Sequence, residues 1–120
     1  MPDPTQALIE TLKTKDGLTT ANVHGIRSQV IAPALVIRPY DPWLSPDRFC
    51  KAVQRYVAVA TVGAASGEDG IDRLYTMVLA VIDNLPEGWD WESVGGPVID
   101  ESTGTSFLAA PVRLTFKGEA

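Results

Sequence analysis

The sequence predicts an α+β fold: a mostly antiparallel sheet of about four to five strands with two helices packed on one face. Three observations point there. Apolar residues recur at helical spacing in only two stretches, near the N-terminus and across Ile71–Leu85. Extended apolar segments rich in β-branched residues fill much of the remainder. Nine prolines and ten glycines punctuate those segments, a composition that suits hairpins and opposes a helical bundle. A chain of 120 residues has room for one core, so a single domain spanning 1–120 is expected.

The first helix is expected from about Thr5 to Thr14. Asp3-Pro4 reads as a cap followed by proline at the first helical position. Leu8 and Leu12 mark the inward face, with Ala7 and Ile9 beside them. Lys13 and Lys15 suit the negative end of the dipole, and Gly17 ends the helix. A short strand is expected within Ala21–Ser28 around Val23 and Ile26, followed by a second at Ala34–Arg38. "RFCKAVQRYVAVATVG" (Arg48–Gly63) reads as one long strand. Val53, Val57 and Val59 share one phase and Tyr56, Ala58, Ala60 and Val62 the other. Both phases become apolar towards its end, as in a central strand covered on both faces.

The second helix carries Ile71, Leu74, Val78, Val81 and Leu85 as its stripe, flanked by Tyr75 and Ile82. Asp69 is its expected cap, Asp72 lies in its first turn and Pro86 stops it. Asp72, Arg73, Thr76, Asp83 and Asn84 mark its polar face. The last third reads as a hairpin. Trp89–Ile99 is extended and interrupted by Gly95-Gly96-Pro97, Asp100–Thr105 is a polar turn, and Phe107–Phe116 returns. Pro97 and Pro111 imply bulges or an edge position.

Composition narrows the function classes. Hydrophobic residues form 45% of the chain, too many for a disordered one. The formal net charge of −5 includes no basic cluster for a sequence-independent grip on DNA. Apolar stretches such as Val57–Gly63 and Met77–Ile82 are too short to span a bilayer. The N-terminus lacks a basic region followed by an apolar one, so no secretory signal is expected. The single cysteine excludes an internal disulfide framework and fits a reducing compartment.

No chemical signature emerges. His24 and Cys50 are 26 positions apart with no linking motif, and the expectation is a strand histidine and an inert buried thiol. Metal-ligand spacings are missing. "GAASGEDG" lacks the Gly-Lys-Ser/Thr ending of a phosphate loop, and its Glu68 and Asp69 would repel phosphate. Asp100 and Glu101 are neighbours in a turn, a poor place to share a desolvated pocket. No catalytic residues, cofactor or metal are therefore expected.

The stretch "APALVIRPYDPWLSP" (Ala32–Pro46) carries the strongest functional hint. Pro39, Pro42 and Pro46 remove backbone donors, so the sequence predicts that Pro39–Asp47 leaves the sheet as a stiff loop. A stiff loop loses little entropy on docking, and tryptophan and tyrosine are favoured interface anchors. Tyr40, Asp41, Trp43 and Leu44 are thus the expected contact residues. Trp89 and Trp91 in "EGWDWES" alternate, which places both rings on one side of an extended chain; packing on the sheet or under the second helix is one account of them.

The N-terminal helix, "APALVIRPYDPW", "VQRYVAVATVG", "DGIDRLYTMVLAVIDNLP", "GWDWESV" and "SFLAAPVRLTFKG" together resemble the tail terminator proteins of long-tailed phages, particularly those infecting actinobacteria. The resemblance spans about residues 5 to 117 and is one of pattern, without an invariant chemical motif. It implies a homohexameric ring that caps the tail tube and presents a surface to the head-side connector or stopper. DNA would pass through its lumen without specific binding. It also implies assembly in the host cytoplasm, a final place at the neck end of the virion tail, and neighbour contacts made by Tyr40–Pro46 and the strand edges. The alternatives are another neck protein (a stopper or completion protein), a small α+β enzyme or ligand-binding domain with a pocket between helices and sheet, and a dimeric ferredoxin-like regulatory module.

Overall fold

The structure is a computed structural model that describes residues 4–15, 17–18, 21–25, 33–46, 52–63, 67–100 and 107–117. The element order is α1 (Thr5–Leu12), β1 (Asn22–His24), β2 (Ala34–Pro46), β3 (Ala52–Gly63), α2 (Gly67–Asp83), β4 (Trp89–Val94), β5 (Val98–Asp100) and β6 (Phe107–Lys117). The strands form one sheet in the order β1-β2-β3-β6-β4, with β5 also pairing with β6. Only β1 and β2 run parallel; the other pairs are antiparallel. The α+β class read from the sequence is the observed one. The strand count reaches six because Gly95-Gly96-Pro97 divides the extended Trp89–Ile99 segment in two.

Strand β6 is last in the chain and lies inside the sheet. It pairs with β3 over eleven positions, from Val53↔Lys117 to Gly63↔Phe107. On its other side β4 takes Val112–Phe116 and β5 takes Phe107–Ala109. Ala110 and Pro111 thus face the break between β4 and β5, where Pro111 has no N–H to contribute and no strand needs one. The Gly95 N–H donates to the Pro111 carbonyl there at 2.8 Å.

Alternation along β3 and β6 sorts the core. Tyr56, Ala58, Ala60 and Val62 of β3 and Ala110, Val112 and Leu114 of β6 share the helix-covered face and are buried. They join Leu8, Ile9 and Leu12 of α1 and Leu74, Met77 and Val81 of α2 in one cluster. Burying each large aliphatic side chain contributes about 1.5–3 kcal/mol. The other phase of β3 is closed as well, with Val57 and Thr61 buried and Val59 half-buried, as its doubly apolar end predicts.

Several local expectations are corrected. β2 does not stop at Arg38. It runs to Pro46, pairing Leu44↔Gln54, Ser45↔Val53 and Pro46↔Ala52 after a register shift between Pro39 and Leu44. The prolines are tolerated because β1 pairs with β2 only as far as Val36. Beyond that point β2 has no neighbour on that side among the described strands, and proline suits such an edge. α2 begins at Gly67, so Asp69 lies within its first turn and is not its cap. The helix ends at Asp83, with Leu85 half-buried just beyond it. Ile71 and Tyr75 are exposed, while Met77 and Ala80 join the core. α1 ends at Leu12, and Ala7 is exposed. Pro4 holds the cap position of α1, with no side-chain cap bond, where the sequence suggests Asp3 as cap and Pro4 as the first helical residue. The strand residue Ile26, the start of the third strand at Arg48–Lys51 and the turn at 101–105 lie outside the described residues.

Two glycines fix how the parts meet. Gly17, at φ +90°, sits where a Cβ would meet Ala80 Cβ at 3.2 Å and Thr76 Cγ2 at 3.3 Å. It thereby lets the turn after α1 approach α2 closely. A Cβ on Gly95 would lie 2.7 Å from Pro111 Cγ, whereas one on Gly96 meets nothing within 4 Å. Pro111 is held by its strand and its ring cannot rotate aside. Gly95→Ala is therefore expected to lower stability by about 1–3 kcal/mol, the usual cost of overpacking, while Gly96→Ala stays within about 0.5 kcal/mol. Urea titration of the two variants checks this.

Candidate functional site

Trp89 and Trp91 share the helix-covered face, as their alternation predicts, yet their surroundings differ. Trp89 is 7% exposed. Its ring lies 5.5 Å from that of Tyr56 and 5.0 Å from that of Phe116, both tilted by about 50°, the offset geometry aromatic pairs favour. Trp91 is 49% exposed. It lies along a groove of about 380 Å³ between α2 and the β4–β5 edge.

The lining of that groove is almost entirely apolar: Ile71, Leu74, Tyr75, Val78, Leu79 and Ile82 from the helix, with Trp91, Val94, Pro97 and Ala110 opposite. Seven large hydrophobic side chains are exposed among the described residues, and six of them, Ile71, Tyr75, Leu79, Trp91, Val98 and Ile99, belong to α2 and the β4–β5 edge. Tyr75 and Ile99 are each 65% exposed. Large apolar side chains so concentrated are an unusual feature of a protein surface, whereas the same residues scattered singly would carry no message. The cause is geometric. α2 turns Leu74, Met77 and Val81 towards the sheet, so the Ile71–Tyr75–Leu79 side of the helix stands above the sheet edge, where no further described strand follows β4.

The opposite sheet face alternates valines with arginines. In register, Arg38 and Arg113 flank Val57, and Arg55 lies two residues along β3. Tyr40 reaches across β3: Arg113 Nε donates to its hydroxyl at 3.0 Å, and the guanidinium carbon lies 5.2 Å from the ring centroid. Arg113 Nη1 donates to Ser93 Oγ at 3.2 Å. Arg55 Nη1 donates to Glu92 Oε1 at 2.8 Å, while its Nε is buried without an acceptor.

Of the four expected contact residues, Tyr40 is half-buried and bonded to its own sheet, and Leu44 is 50% exposed. Asp41 and Trp43 fall within β2, in the register shift, and their side chains lie outside the described residues. The groove residues were legible only in part. Ile71 and Tyr75 read as core-facing because a helical stripe records the width of an apolar face, not how much of it the chain itself covers.

His24 is buried, with Nδ1 2.7 Å from the Gly25 carbonyl. Tyr56 donates its hydroxyl to Gln54 Oε1 at 2.6 Å inside the core. Cys50 lies outside the described residues. No group of three or more His, Cys, Asp or Glu among the described residues is placed to hold a metal ion, and no described helix is long and apolar enough to cross a membrane.

Against known proteins, no family model matches the chain and no curated protein matches it in sequence.

Tyr40→Phe removes one charge-assisted hydrogen bond and leaves the ring in place. The expected loss is about 1.5–3 kcal/mol, and Arg113 Nε loses its acceptor. A melting midpoint lower by several degrees checks it; an unchanged midpoint would mean that the Arg113–Tyr40 bond adds nothing to stability.

Proposed function

We propose that this chain is a structural subunit of a closed ring, the tail terminator of a long-tailed phage, capping the tail tube and joining it to the head-side connector. The observation that carries the reading is the apolar groove between α2 and the β4–β5 edge. A groove of this volume falls within the range of small-molecule pockets, but such pockets place a few convergent polar groups to orient a ligand. Here the described lining offers only the Tyr75 hydroxyl, the Trp91 indole N–H and backbone. That chemistry favours a protein surface over a substrate.

A ring requires heterologous contacts, one surface of each copy meeting a different surface of the next. The groove supplies one surface, and the shifted end of β2 with exposed Leu44 supplies a candidate for another. The resemblance in sequence pattern supports reading the ring as a tail terminator at the neck end of the virion. The net charge of −5 suits a lumen through which DNA slides, since a negative wall does not trap phosphates. Another neck protein, stopper or completion factor, would use the same kind of surface with different partners.

Trp91→Ala tests the reading. Half of that side chain is already in water, so truncation is expected to cost the isolated fold less than about 1 kcal/mol. At an assembly contact, losing an aromatic anchor costs about 2 kcal/mol or more, repeated at every boundary of the ring. Native mass spectrometry is expected to show wild-type rings and mainly monomers for Trp91→Ala, with Trp43→Ala weakening assembly similarly. A wild-type chain that stays monomeric, or stops at two copies, would contradict the ring.

A further inference from the structure

The two faces of the molecule differ in charge as well as in polarity. Helix α2 carries Glu68, Asp69, Asp72 and Asp83 against a single base, Arg73, and Asp72 and Asp83 are exposed. Both lie on the solvent side of α2 beside the Ile71–Tyr75–Leu79 stripe, so the helix wall of the groove has an acidic rim. The sheet face away from the helices shows the reverse. Arg38, Arg55, Arg113 and Lys117 share it by register, four of the ten cations in the chain. Asp90 and Glu92 are the carboxylates of β4 on that side, and Glu92 is occupied by Arg55.

This cationic face is not saturated from within. Arg113 is spent on the Tyr40 hydroxyl and Ser93. Arg55 satisfies Glu92 through Nη1, but its Nε has no acceptor. Arg38 is exposed, and no described carboxylate pairs with it. An otherwise acidic chain has thus gathered four cations on one face; the Arg55 Nε is buried out of a partner's reach, and exposed Arg38 is the arginine left open to a neighbour's carboxylate.

We infer that the arginine face of one copy receives the acidic rim of α2 from the next copy, so that the groove-bearing side of each subunit docks on the sheet face of its neighbour. The inference rests on the ring reading and adds the polarity and partners of its contact. The two patches lie on opposite faces of the sheet, so one two-fold interface cannot contain both, and their charge complementarity selects head-to-tail packing. It also assigns the arginines to protein carboxylates, not to DNA.

A charge swap tests it on the full chain. Arg38→Glu alone and the pair Asp72→Arg/Asp83→Arg each place like charges across the contact; all three positions are exposed, and unchanged circular dichroism melts would verify folding. Each is expected to weaken association about tenfold or more, and combining the three is expected to restore it. Added salt should dissociate the wild-type assembly and have less effect on a mutant whose contact is already lost. Wild-type assembly that survives both reversals, or a combination no better than its parts, would overturn the inference and leave the ring standing. A monomeric wild-type chain would remove both. Retention of the wild-type chain on double-stranded DNA, lost in Arg38→Glu, would reassign the face to phosphate and overturn the inference as well.

Discussion

The fold depends on β6 being threaded between β3 and the β4–β5 edge. β3 and β4 flank α2 in the chain, yet they are not neighbours in the sheet; the final strand separates them and bonds to both. This is a split β-α-β arrangement. The surface that α2 covers is complete only when Ala110, Val112 and Leu114 have taken their place beside Ala58 and Ala60. Pairings between Val53 and Lys117, or Gly63 and Phe107, close long loops before they return any burial, so folding must be cooperative and governed by late, non-local contacts. The small residues at the centre of both strands let α2 lie close to the sheet.

The same threading explains the surfaces left open. With β6 interior, the sheet ends at β1 on one side and at β4 and β5 on the other. Edges are where natural sheets are protected or used. Along β2, Pro39, Pro42 and Pro46 blunt the edge. Along β4 and β5 the protection is of another kind, the Gly95-Gly96-Pro97 break seated on Pro111, but the side chains there remain apolar. α2 turns its second apolar stripe towards that same edge, and the groove is the product. A single-chain fold gains nothing from keeping Tyr75, Trp91 and Ile99 in water, and that exposure is the ground for the proposal of a partner surface.

Much of the fold was legible in the sequence because it rests on alternation and helical spacing. The phases of β3, the hairpin with β6, the two helices and the break after Val94 follow from residue patterns that local physics reads directly. Three features were not legible. Pro39–Pro46 read as a loop because proline forbids interior strand positions, and nothing local reveals that β1 ends early and leaves β2 an edge there. Asp69 read as a cap because its side chain suits that position, and local pattern does not fix the start of α2 at Gly67. Ile71 and Tyr75 read as core because spacing defines a helix face but not the width of the sheet beneath it. The site was correspondingly harder to see than the fold: Tyr40 was singled out, but its tie to Arg113, 73 positions away, leaves no trace in sequence spacing.

Hydrogen–deuterium exchange tests most directly whether the groove is an assembly surface. The full chain would be measured at concentrations on either side of its assembly transition, with peptides covering α2 and β4–β5 compared with those covering α1. The account predicts that assembly slows exchange along the exposed side of α2 and across Trp91–Ile99, with α1 unchanged. Equal protection of the groove peptides in the dilute and assembled states would contradict it.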